Sequence, residues 1–245
     1  MMVQDGLEEL REEVLACRRC LLALTRVNAV PGEGSTGYLM LVGEAPGRDE
    51  DMTGRPFVGR AGKLLEDALR EAGLKRGDLY ITNVVKCRPP KNRKPNQEEI
   101  KTCMPFLERE VDLVKPRAVV AMGATAVNAL TGQKAVFSIR GKFFRYHGVP
   151  VIVTLHPAFA LRNPRLKALI VSDLEEARRI AEATCPSTRC VAQGGRYPPL
   201  GSIALRRPSL LGAVKQIPGA YVVQGAGGAQ RLLCPTNLPA EPYHR

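Results

Sequence analysis

Tryptophan is missing from the 245-residue chain, and aromatic residues make up only 5 % of it. No run of 18 apolar residues occurs, which excludes a transmembrane helix. The first residues are acidic and amphipathic, with Leu7, Leu10 and Val14 on one stripe, rather than a basic stretch leading into an apolar one. No secretory signal is therefore expected, and seven cysteines in such a chain do not read as a disulfide framework. There is no internal repeat and no Gly-x-Gly-x-x-Gly turn, so an electron carrier would lack a dinucleotide partner site. Acids are the scarce charge: 36 Lys and Arg stand against 24 Asp and Glu, a net charge of +12. That excess favours a polyanionic partner, nucleic acid above all.

The charge is not evenly spread. From Thr184 to Arg245 a single acid, Glu241, faces seven bases, and Pro and Gly fill 16 of the 62 positions. No helical or alternating pattern lasts long enough there to build an element, so residues 184–245 are expected to form a disordered basic tail. Residues 1–183 read as one domain with the remaining half of the net charge. In it, short apolar runs at Tyr38–Val42, Leu79–Val85, Ala118–Met122 and Val149–Leu155 have the length of buried parallel strands. Between them Ala61–Ala72, Ile100–Val111, Ala124–Leu130 and Leu166–Ala181 repeat apolar residues at helical spacing. Alternating elements of this kind predict a three-layer α/β/α sandwich around a mostly parallel sheet of roughly four strands.

Open α/β sheets place their sites outside the carboxyl ends of the strands. The first strand is followed by Gly43-Glu44-Ala45-Pro46-Gly47, the second ends near Asn83 and runs into Lys86-Cys87-Arg88-Pro89-Pro90, and the fourth is followed by His156-Pro157. Each is weak alone: the first could be a plain tight turn, and a single histidine more often satisfies a hydrogen bond than catalyses. Their convergence is the informative feature.

The cysteines add a second. Cys17-x2-Cys20 has the spacing of a ligand pair, Cys87 follows a strand, and Cys103 lies on the apolar face of a helix. Four thiolates make a closed site for zinc or an iron–sulfur cluster, and spacing alone does not choose between them. Two loops beside the strand ends are basic: Lys86, Arg88, Lys91, Arg93 and Lys94 in one, Arg162, Arg165 and Lys167 in the other. Flanking cations of this kind suit phosphates around a reactive centre.

Taken in order, Cys17-x2-Cys20, Gly43-Glu44-Ala45-Pro46-Gly47, Gly54-Arg55-Pro56-Phe57-Val58-Gly59-Arg60-Ala61-Gly62, Thr82-Asn83-Val84-Val85-Lys86-Cys87-Arg88-Pro89-Pro90, Cys103 and His156-Pro157 resemble the iron–sulfur (family 4) uracil-DNA glycosylases over nearly all of residues 7–182. The resemblance implies an enzyme that flips uracil out of single- or double-stranded DNA and hydrolyses its N-glycosidic bond. Phe57 would stack on the base, Asn83 would read its edge, and Glu50 would block the thymine methyl group. His156 would stabilise the departing base, with Glu44, Ala45 and the Gly43 turn around it. Arg88, Lys91 and Arg93 would contact DNA, and Leu161 and Arg162 would fill the gap left by the flipped nucleotide. Cys17, Cys20, Cys87 and Cys103 would hold a structural [4Fe-4S] cluster. It further implies a monomer in the cytoplasm, at the nucleoid, with a sliding clamp or downstream repair enzymes as partners. The rival of another class is a non-catalytic iron–sulfur or zinc DNA-binding module, which leaves Asn83, Phe57 and His156 idle. The covalent uracil-binding relatives are disfavoured, because Ser138-Ile139-Arg140-Gly141-Lys142 contains no histidine.

Overall fold

The computed structural model describes residues 2–142, 144–183, 221–224 and 230–233. Its elements in chain order are α1 (Met2–Ala16), β1 (Glu33–Gly34), β2 (Leu39–Gly43), α2 (Arg48–Thr53), α3 (Arg60–Glu71), β3 (Leu79–Asn83), α4 (Gln97–Val114) and β4 (Ala118–Met122). There follow α5 (Ala124–Thr131), α6 (Val136–Ile139), β5 (Phe144–Tyr146), β6 (Val149–Thr154), α7 (Pro157–Ala160), α8 (Lys167–Ala183), β7 (Tyr221–Gln224) and β8 (Gln230–Leu233). Local chemistry sets several boundaries. The Asn96 side chain accepts from the Glu99 N–H at 2.8 Å while Glu99 accepts from the Asn96 N–H at 2.9 Å, a reciprocal cap that starts α4. Gly132, at φ 71°, ends α5 in the left-handed conformation that a glycine adopts without strain.

The first unit, Met1–Val191, is built on a six-stranded sheet of order β1-β3-β2-β4-β6-β5. The four inner strands are parallel and are the four expected. They come close to the expected lengths: β3 ends at Asn83 rather than Val85, and β6 at Thr154 rather than Leu155. The sheet is wider than the roughly four strands predicted, because β1 and β5 add antiparallel edges. These have two and three residues, too few for a periodic signal.

Every residue of the three strands β2, β3 and β4 is buried, so side chains alternate between two cores rather than between core and water. On one face Met40, Val42, Val119, Ala121, Val151 and Val153 pack with α1, α4 and α5 through Leu10, Val14, Phe106, Leu107, Val111 and Val127. On the other, Leu39, Leu41, Leu79, Ile81, Val120 and Ile152 meet α3 and α8 through Leu65, Leu69, Ile170 and Leu174. Truncating one such leucine to alanine costs about 2–5 kcal/mol. Among the described residues no helix is long and apolar enough to cross a membrane.

In the second unit, Ala192–Arg245, β7 pairs antiparallel with β8, Tyr221 opposite Leu233. The sequence reading anticipated no element there. The rest of the expectation of a disordered tail lies outside the described residues.

Candidate active site

The chain runs outward from β2 to β3 and then crosses back to β4 on the other side of β2. The crevice above the ends of β2 and β4 is thus the switch point at which open sheets bind ligands. Register places Gly43 beside Asn83, and Met122 beside Thr154, so the segments after all four inner strands converge. Glu44, Ala45, Glu50, Phe57, Asn83 and His156 together line a pocket of about 220 Å³.

Asn83 is 1 % exposed, and among the described residues neither its amide nitrogen nor its amide oxygen has a hydrogen-bond partner. Its close neighbours depend on Gly43: a Cβ there would sit 2.4 Å from Asn83 Oδ1 and 2.5 Å from Phe57 Cζ. Phe57 takes a left-handed backbone at φ 52°, unusual for a bulky side chain. Arg76 braces that turn by donating to the carbonyls of Pro56 at 2.6 Å and Phe57 at 3.1 Å. Gly62 lets the next helix approach, since a Cβ there would lie 2.0 Å from the Phe57 carbonyl oxygen.

The His156 ring lies 5.9 Å from that of Phe57, tilted by 31°. Its Nδ1 accepts from the Ala158 N–H at 3.2 Å. Burial pushes the imidazole below its ordinary value, against the opposing pull of Glu44 and Glu50. A neutral ring whose Nδ1 accepts carries its proton on Nε2, which makes Nε2–H a donor. Gly123, at φ 86°, leaves the room this ring needs: a Cβ would come within 2.7 Å of His156 Cβ.

Two carboxylates frame the pocket. Glu44 accepts from the Thr125 hydroxyl in the first turn of α5. Glu50 is buried and accepts three backbone N–H groups, from Gly47 at 3.0 Å, Val58 at 3.0 Å and Gly59 at 2.9 Å. Its carboxylate thereby ties the Gly43–Gly47 turn to the Phe57 turn.

Lys86 was expected in the basic loop facing DNA, and the structure corrects this. It is 1 % exposed, with Nζ donating to Glu110 at 2.6 Å, Thr82 at 2.6 Å and the Asn83 carbonyl at 2.7 Å. A buried cation must be paired, and Glu110 was available on the inner face of α4. Arg93 makes a two-pronged pair with Glu99 at 2.9 and 2.6 Å. Arg88 donates to Asn92 at 2.7 Å and lies 3.8 Å from Asp51. Lys91 is exposed and makes no ion pair among the described residues. Leu161 and Arg162 are exposed just beyond α7.

Cys87 and Cys103 are buried, and Cys17 and Cys20 pack against the same core. Arg26 Nη1 donates to Cys87 Sγ at 2.9 Å, and the Lys86 N–H to Cys103 Sγ at 3.3 Å. Burial raises the Cys87 thiol, against the Arg26 guanidinium, with Cys20 and Cys17 raising it further. It pushes Cys103 up to about 12, with Cys87 and Cys17 also within electrostatic reach. Among the described residues no three His, Cys, Asp or Glu side chains converge as a single metal ion requires. Four thiols on one flank, with N–H donors on two sulfurs, have the chemistry of a closed four-thiolate site.

Arg76, Thr125 and the Lys86–Glu110 pair were not singled out from sequence. The available signal was Glu110, an acid on the apolar stripe of α4.

Residues 31–177 match the uracil DNA glycosylase superfamily, and the fold is of that class. The chain is 44 % identical over 188 residues to the type-4 uracil-DNA glycosylase of Sulfurisphaera tokodaii, covering 72 % of this chain and 86 % of that one. It is 47 % identical over 178 residues to the type-4 enzyme of Pyrobaculum aerophilum (69 % and 91 %), and 44 % over 181 residues to that of Thermotoga maritima (71 % and 94 %). Within the superfamily, the chain belongs to the type-4 uracil-DNA glycosylases.

Proposed function

We propose that this protein releases uracil from single- or double-stranded DNA by hydrolysing the N-glycosidic bond, leaving an abasic site for repair. The observation that carries the reading in this chain is the Asn83 amide, buried with both polar atoms unpaired. An unsatisfied buried amide costs about 1–3 kcal/mol and is retained where a ligand completes it. Uracil supplies the match: its O4 accepts from the amide N–H, and its N3–H donates to the amide oxygen. Cytosine presents the reverse polarity at both positions and is refused. A non-catalytic DNA-binding module would have no use for this amide.

Phe57 stacks on the base, and Glu50 braces the two turns that enclose it, beside the C5 edge where thymine carries its methyl. The C1′–N1 bond breaks with its electron pair passing to the base, and His156 Nε2–H donates to O2 as charge gathers there. Water then adds at C1′ and gives up its proton. With Ala45 in the first turn no side chain at that position holds the water, so the sugar cation forms before capture, and the Glu44 carboxylate in the pocket lining is the base that can take the water's proton. Donors aimed at developing charge are each worth on the order of 10²–10³ in rate.

Lys91, Arg88 and Arg93 bind phosphates, and Leu161 and Arg162 fill the space of the flipped nucleotide. Cys17, Cys20, Cys87 and Cys103 hold a [4Fe-4S] cluster that pins the N-terminal segment and the Arg88–Lys94 loop to the core. Hydrolysis needs no electrons, and the cluster supplies none. Residues 1–183 act as the catalytic domain, as a monomer.

The test is base release from oligonucleotides containing uracil, cytosine or thymine. Uracil alone should be freed, and Asn83→Asp should abolish it. Release by the variant at the wild-type rate would overturn the reading.

A further inference from the structure

The uracil pocket accounts for one face of His156. A second pocket of about 470 Å³ is also lined by His156 and walled by Gly123, Val136, Phe137, Leu155 and Phe159. Phe137 and Phe159 are 59 % and 49 % exposed. They meet edge to face at 6.0 Å, with their planes 67° apart. Two of the chain's six phenylalanines thus stand half in water beside the reactive centre, where apolar surface marks a binding site.

Resting on the proposed function, we propose that this pocket seats the unpaired base adjacent to the uracil on the same strand. His156 lines both pockets, so a strand with uracil in the first brings its neighbouring nucleotide to the second. Lys134 lines the pocket, a cation placed for a phosphate beside such a base. The walls favour a base over a peptide. Among the described residues Lys134 and Ser138 are the only side chains with hydrogen-bonding groups that the pocket adds to His156, whereas an entering peptide must pair every N–H and C=O. A base presents its apolar face to the rings and keeps its edges in water, which makes the site tolerant of sequence. A base still paired to an opposite strand cannot enter, so the subsite serves single-stranded DNA.

The experiment measures binding of single-stranded oligonucleotides carrying an uncleavable uracil nucleotide. The neighbour on the 5′ or the 3′ side is replaced by a baseless tetrahydrofuran residue. For the wild type, one of the two gaps should weaken binding roughly five- to hundredfold and the other little. The double variant Phe137→Ala, Phe159→Ala should bind the intact strand about as weakly as the wild type binds the gapped one, and the gap should cost it nothing further. If the alanine pair does not fold, Phe137→Leu with Phe159→Leu keeps the apolar bulk, removes the rings, and should lose most of the gap penalty. A wild type indifferent to both gaps, or ring-less variants with the full penalty, overturns the subsite. Uracil release from cleavable strands is read separately. A gap penalty without any release overturns the proposed function and leaves the subsite standing; release without a gap penalty overturns the subsite alone.

Discussion

A buried amide without a hydrogen-bond partner is a standing cost, and among the described residues the nitrogen and the oxygen of Asn83 both bear it. Asn83→Asp keeps the shape and removes the donor. Uracil release should be lost, with any residual activity moved toward cytosine-containing DNA, as parallel release assays would show. His156 acts on charge rather than identity. In His156→Ala, single-turnover release should slow by roughly 10²–10³ while DNA affinity stays near that of the wild type, because O2 gains its charge only toward the transition state. The same residue leaves a mark on stability. Unfolded, its imidazole takes a proton near pH 6.5; folded, burial lowers that value, with Glu44 and Glu50 opposing. Between the two values the unfolded chain binds more protons, so the folded state loses stability as pH falls through that window and regains it above pH 6.5. Denaturant titrations across this range should show that slope in the wild type and a shallower one in His156→Ala; equal slopes would mean the ring is not held neutral by the fold.

The turn between α2 and α3 shows how one element is positioned by another. Phe57 keeps its left-handed backbone because Arg76 holds two carbonyls and Gly62 stands clear. The ion pairs of Arg76 with Glu33 and Glu66 are partly exposed and add little. Arg76→Met keeps the stem and deletes the donors. Stacking on Phe57 holds ground and transition states alike, so KM should rise about tenfold with a smaller fall in kcat, and Arg76→Lys should recover part of it. A fall in kcat alone would place Arg76 elsewhere in the reaction. The cysteines join elements more distant in sequence: the end of α1, the segment after β3, and α4. Purified protein should be yellow-brown, with about four irons per chain, and Cys103→Ser should lose colour and iron; colourless, active protein with one zinc would replace the cluster by a zinc site. The four inner strands and their helices were legible because each is a buried apolar run or a helical stripe long enough to repeat. The edge strands were not: Glu33-Gly34 is a two-residue polar pairing that exists only because β3 is beside it. Asn83, Phe57 and His156 were legible through strand ends and family resemblance, and the structure brings them into one pocket. Lys86 was misassigned because sequence shows a basic run but not the inward turn toward Glu110.

At the scale of the whole molecule the question is where the charge acts. Of the net +12, residues 184–245 hold +6, from seven bases and one acid. Among the described residues every buried side chain of the two cores lies between Leu10 and Ala181. Ending the chain at Ala183 should therefore leave the unfolding midpoint and single-turnover uracil release close to those of the full chain. Its effect should appear in DNA affinity, through electrostatics. Each phosphate neutralised releases counterions and steepens the fall of log K with log salt by about 0.9 on duplex DNA and 0.7 on single strands. If the seven bases of the tail meet phosphates, truncation flattens that slope by several units, far more than Lys91→Ala, which removes one cation and should change it by about 1. A truncated protein with the full slope would assign DNA affinity to the loops around the pocket, and one that fails to fold would show that the body ending at Ala183 is not self-sufficient.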